Sequence, residues 1–163
     1  MLYVSRGPWS IYEMLDRFFN LHRIPVGPIL FLREWGMTLQ RPLPRRATDH
    51  KIDLIREMVE RYDELPFVLI GDSGQHDPEI YARVVEEHPG RVMAVYIRNV
   101  SGKAERRGEI DDLARVVERA GCPLVLADDS FVMAEHAARI GLLAHDRLGE
   151  ILAERKAENA VAA

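Results

Sequence analysis

The chain has one cysteine in 163 residues, Cys122, so no internal disulfide framework can hold its fold. That scarcity fits a reducing compartment. No apolar run reaches the ~20 residues that a membrane-spanning helix needs. The N-terminus also lacks the charged, apolar and small-residue order of a secretory signal. A cytoplasmic protein with no transmembrane segment is expected. Basic residues are not in excess: 22 lysines and arginines face 26 acidic residues, a formal net charge of −4. No basic cluster interleaves with aromatics, so no nucleic-acid partner is expected. The six histidines never fall at His-x-x-x-His spacing, which argues against a zinc enzyme of that kind. There is no internal repeat, and the low-complexity content is confined to an alanine-rich tail after Lys156.

What is present is ordinary for a soluble globular domain: 47% hydrophobic and 29% charged residues. A chain of this length buries roughly 70% of its unfolded surface, enough for one domain. That domain is expected over residues 1–153, with a tail over 154–163. Strand-length apolar runs at 2–5, 28–32, 67–71, 92–97 and 124–127 alternate with helical patterns at 9–21, 48–62, 78–87, 109–120 and 131–140. The alternation predicts an α/β fold: a Rossmann-like, mostly parallel sheet with helices on both faces. Residues 34–47, with Pro42, Pro44, Arg45 and Arg46, break the rhythm and read as an exposed loop rather than a proline-rich ligand. Met133 and the other methionines read as core fillers. The chain opens directly on a strand at Leu2, whereas complete domains more often begin with a loosely ordered lead-in.

The most informative stretch is Phe67-Val68-Leu69-Ile70-Gly71-Asp72-Ser73-Gly74-Gln75-His76-Asp77. An apolar strand runs into a small polar loop that places Asp72 and Asp77 at the strand's carboxyl end, where open α/β sheets bind ligands. Two carboxylates there suit a hard cation such as Mg²⁺. The alternative is that Asp72 ends the strand and Asp77 caps the helix opened by Pro78 and Glu79. Ser5 ends another strand, before the tight turn Arg6-Gly7-Pro8, and such a turn can present its hydroxyl and amides to an anion. Lys51 sits early in a helix, against the dipole. Asp128 and Asp129 stand at a third strand end. A serine hydroxyl, a lysine, a cation and acidic ligands together form a set suited to phosphoryl transfer.

The order of serine, lysine and paired aspartates resembles motifs two to four of the haloacid-dehalogenase superfamily. More narrowly, Tyr3-Val4-Ser5-Arg6-Gly7-Pro8-Trp9, His50-Lys51 and Leu69 through Tyr81 resemble the catalytic domain of phosphatidate phosphatases of the actin-patch-protein type. Val95–Val100 and Ala134–Ala138 extend the likeness across nearly the whole chain. The resemblance implies a Mg²⁺-dependent phosphomonoester hydrolase acting on a phosphate-bearing substrate, such as phosphatidate at a membrane surface. Ser5 would hydrogen-bond the phosphate, Lys51 would balance its charge, and Asp72 would ligate the metal. Asp77 would be a second or water-mediated ligand.

One departure matters. The superfamily carries its nucleophile and acid/base aspartates in an Asp-x-Asp motif on a first, central strand, and no Asp-x-Asp occurs anywhere in this sequence. The expectation is an N-terminally truncated domain that is inactive alone and lacks the strand lying between those that end at Ser5 and Gly71. A non-catalytic remnant serving as an interaction module is the alternative. A third reading is a Gly-Asp-Ser esterase with Ser73 as its nucleophile.

Overall fold

The computed structural model describes residues 1–5, 7, 9–31 and 47–153. It divides into two compact units, Met1–Leu65 and Pro66–Ala163.

In the first unit, β1 (Tyr3–Ser5) pairs in parallel with β2 (Ile29–Phe31), with Tyr3 opposite Ile29 and Val4 opposite Leu30. Between them, a 3-10 turn at Trp9–Ile11 runs into α1 (Tyr12–Leu21). The continuous helical pattern over 9–21 thus begins with a tighter turn, as helix starts often do. Helix α2 (Ala47–Arg61) packs beside β1 and buries Ile52, Ile55 and Val59. The predicted loop over 34–47 falls outside the described residues except for Ala47, which opens α2.

The second unit is a three-stranded parallel sheet in the order β3-β4-β5, made of Phe67–Asp72, Val92–Arg98 and Leu124–Ala127. Helix α3 (Asp77–Glu87) connects β3 to β4, and α4 (Ala104–Arg119) connects β4 to β5, which makes two successive βαβ units. Helix α5 (Ser130–Arg139) follows and packs on β5. The parallel sheets with helices around them confirm the α/β, Rossmann-like class. Central strand β4 buries Val92, Ala94, Val95, Tyr96 and Ile97. A near-continuous apolar run is what a parallel strand with neighbours on both edges requires. Helix α3 packs on β4 and buries Ile80, Tyr81, Val84 and Val85, while α4 packs on α3 and β5 and buries Ile110 and Val117. At the sheet's edge, β3 buries Leu69 but leaves Val68 and Ile70 exposed.

Helix α4 starts five residues earlier than the pattern at 109–120 indicates. Gly108 lies within the helix with open space around its Cα. An interior glycine costs a helix about 1 kcal/mol relative to alanine, which packing by Ile110 and Val117 readily outweighs.

Candidate active site

The ends of β3, β4 and β5 carry the polar side chains of the second unit. Past Asp72 the chain leaves the sheet but remains tied to it. The Ser73 amide donates to the carbonyl of Arg98 (2.9 Å), extending the ladder by one rung. Ser73 is only 2% exposed, and its Oγ accepts the amides of Val100 (2.9 Å) and Ser101 (3.1 Å) while donating to Asn99 Oδ1 (3.3 Å). A hydroxyl so enclosed is a latch between two loops. It is not an accessible nucleophile, and the esterase reading falls on that geometry. Cys122 is equally unsuited: it is buried, and burial pushes its thiol up to about 11.

Asp72 Oδ1 accepts the Gly74 amide at 2.8 Å, a short turn closed by the side chain. Its other oxygen, Oδ2, has no hydrogen bond among the described residues. Asp77 is not the helix cap, a position held by His76. It lies in the first turn of α3, 4% exposed, with Oδ2 turned back toward the Asp72 amide at 3.4 Å. Gly71 makes this possible. A Cβ there would stand 2.7 Å from the Asp77 Cβ and 2.9 Å from its Cγ, so the carboxylate lies where only a glycine leaves room. The structure thus brings Asp72 and Asp77 together at one strand end. Tyr81, whose hydroxyl donates to the Ile70 carbonyl (2.9 Å), backs this corner. Burial and the charges of Asp77 and Asp72 hold its phenol far above the ordinary value, so it stays protonated.

Among the described residues no three His, Cys, Asp or Glu side chains form a metal cage. Two carboxylates still fit Mg²⁺, which keeps several waters and commonly takes one or two protein carboxylates beside substrate phosphate. The free Oδ2 of Asp72 is the oxygen best placed for such a cation.

In the first unit, Ser5 ends β1 half-buried, and its Oγ accepts the Gly7 amide at 3.0 Å, which leaves its own proton to donate. Arg6 and Pro8 of the predicted turn lie outside the described residues. Lys51 stands on α2 and is 8% exposed, unlike a solvated surface lysine. The third strand end proves structural. Asp129 caps α5 by accepting the Val132 amide (3.0 Å), and Asp128 Oδ1 is held by Asn99 (2.7 Å) and Arg107 (2.7 Å).

Sequence reasoning missed Arg106. From α4 its guanidinium reaches the carbonyls of Ser73 (3.1 Å) and Gln75 (2.9 Å), both oxygens of Glu79 (2.5 and 3.0 Å) and Glu109 (2.8 Å). Burial pushes the Glu79 carboxyl up, but the hydrogen bond and charge of Arg106 hold it below its ordinary value. The Glu79 hydrogen bond in turn raises Arg106.

Comparison with known proteins decides what this constellation belongs to. Residues 1–99, which include Ser5, Lys51, Asp72 and Asp77, match the family described as phosphatidate phosphatase APP1, catalytic domain. The chain belongs to this family. The APP1 catalytic domain accounts for the quoted motifs from Tyr3 to Tyr81 and for the strand β4 that supports them. Phosphatidate phosphatase APP1 of Saccharomyces cerevisiae is 30% identical over 96 residues, 59% of this chain and 16% of that protein. An uncharacterised protein of Schizosaccharomyces pombe is 32% identical over 101 residues, 60% of this chain and 16% of its own length. The chain therefore spans about one sixth of the curated relatives it matches. No solved structure matches.

Proposed function

We propose that this is the motif-two-to-four portion of a haloacid-dehalogenase-like phosphatase domain over residues 1–153, a Mg²⁺-dependent cytoplasmic hydrolase of lipid phosphomonoesters such as phosphatidate. The observation that carries the reading is the family match over residues 1–99, because it includes all four candidate residues. Among the described residues no helix is long and apolar enough to cross a membrane, so the substrate would be met at a surface.

In this reading Ser5 donates its hydroxyl proton to a phosphate oxygen, and the ammonium of Lys51 offsets the charge that builds there in the transition state. Asp72 holds the cation through Oδ2, with Asp77 as a second, water-mediated ligand. When bound, Mg²⁺ polarises the phosphoryl group and draws its oxygens into line. The 163 residues hold no Asp-x-Asp to supply a nucleophile and its acid/base partner. We therefore read these 163 residues as inactive alone, with the nucleophile supplied by a strand outside them. The exposed Val68 and Ile70 on edge strand β3 support this, since an apolar parallel edge is normally covered.

The chain alone is expected to show no Mg²⁺-dependent turnover of phosphatidate or p-nitrophenyl phosphate above background. Fusing an Asp-x-Asp strand upstream should create activity that Asp72→Asn abolishes. Robust hydrolysis by the unfused chain, lost on Asp72→Asn, would reveal a different nucleophile. A fused chain that folds but stays inactive would favour a non-catalytic interaction module.

A further inference from the structure

The Asp72 carboxylate is aimed by a chain of contacts that starts on another helix. Its Oδ1 accepts the amide of Gly74 at 2.8 Å. That N–H belongs to the Ser73–Gly74 peptide unit, whose carbonyl points the opposite way, as in any trans peptide. On that carbonyl sits Arg106 Nε, at 3.1 Å. The same guanidinium donates through Nη2 to the carbonyl of Gln75 at 2.9 Å, so two of the loop's peptide units are held from one side. Glu79 and Glu109 hold the guanidinium in turn, and the Arg106 side chain is only 16% exposed. A salt bridge with Glu79 alone would tie α4 to α3. The two carbonyl contacts add nothing to that tie, and both fall on the segment between Asp72 and Asp77.

We propose that Arg106 is a positioning residue for a divalent-cation site at Asp72: by fixing the Ser73 and Gln75 carbonyls it directs the Gly74 amide onto Asp72 Oδ1 and leaves Oδ2 turned toward the ion. This rests on the reading of Asp72 as a cation ligand. Lysine is no substitute, because a single ammonium cannot span two carbonyls and a carboxylate in the planar fork that arginine offers.

The test uses the full chain and Mn²⁺ as the probe, with free Mn²⁺ read by electron paramagnetic resonance. Arg106→Gln and Arg106→Lys should each weaken binding about 10- to 100-fold, the usual effect of removing a group that orients a ligand. Asp72→Asn should abolish binding. Arg115→Gln, an exposed change on the same helix, should stay within about twofold, as surface charges generally do. Hydrogen exchange supplies a second readout. The Gly74 amide should exchange faster in Arg106→Gln, while Val95 and Ile97 in β4 keep their protection. Mn²⁺ affinity unchanged by Arg106→Gln, in a chain where Asp72→Asn abolishes binding, would overturn the positioning role. If the wild-type chain binds no Mn²⁺, or Asp72→Asn leaves binding intact, the cation reading itself fails. The exchange of Gly74 then decides whether Arg106 orders the loop, and an unchanged rate would overturn that too.

Discussion

Both units pair their strands in parallel, yet among the described residues the second buries far more of its side chains. In Pro66–Ala163, strand β4 has a neighbour on each edge and helix α3 against it, and five of its seven residues are buried. Among the described residues of Met1–Leu65, β1 and β2 pair only with each other, and none from 1 to 31 is buried. Trp9, Met14, Phe18 and Leu21 stay exposed although the 9–21 pattern is amphipathic. The difference teaches that an apolar pattern is only an offer of burial. A two-stranded parallel pair presents too little surface to accept it, and isolated two-stranded pairs are marginal even with a tight hairpin turn.

The strongest way to break this comparison is to separate the units. Residues 66–163 expressed alone should keep a cooperative thermal transition, and residues 1–65 alone should not, as followed by circular dichroism. A cooperative transition in the smaller fragment would show that its sheet is sufficient. Next in size, Ile97→Ala removes a fully buried side chain from β4 and should cost about 2–5 kcal/mol in urea unfolding.

A smaller effect should come from Glu79→Gln. The folded carboxyl lies below its unfolded value of 4.5, so its contribution is present above about pH 4.5 and is lost as pH falls through the lower folded value. The variant should flatten that part of the acid limb in pH-dependent melts. Because the Glu79 side chain is 41% exposed, solvent screening limits the change to about 1 kcal/mol or less. Smallest of all, Leu21→Ser on the exposed end of α1 should move stability by no more than about 0.5 kcal/mol. A large loss there would mean that Leu21 is covered in solution and would erase the contrast between the units.

Strand positions were legible to within a residue or so: the runs at 67–71, 92–97 and 124–127 reappear as Phe67–Asp72, Val92–Arg98 and Leu124–Ala127. Apolar β-rich runs closed by glycine or aspartate leave few alternatives. Helix α4 was less legible: the pattern indicates a start at 109, whereas the helix starts at Ala104 and runs through Gly108, whose low helix propensity packing overrides. That misreading removed the turn carrying Arg106, so the residue gripping the Asp72 loop stood in apparent linker. Asp77 was ambiguous in the same way, since an aspartate before a proline is a natural cap.

By itself the sequence determined the alternation of strands and helices, the polar loop after Gly71, the absence of an Asp-x-Asp and the family. These follow from local pattern and short motifs, in which each residue is read against its neighbours. Only the tertiary structure decided that Ser73 is a latch, that Asp77 turns back over Gly71 and that Arg106 holds the carbonyls behind Asp72. Each of those contacts joins segments that the chain separates and packing brings together. Arg106 reaches Ser73 across 33 positions, and Ser73 meets Val100 across 27. Hydrogen-bonding capacity is written in a residue's type, but its partner is chosen by what the fold leaves within about 3 Å.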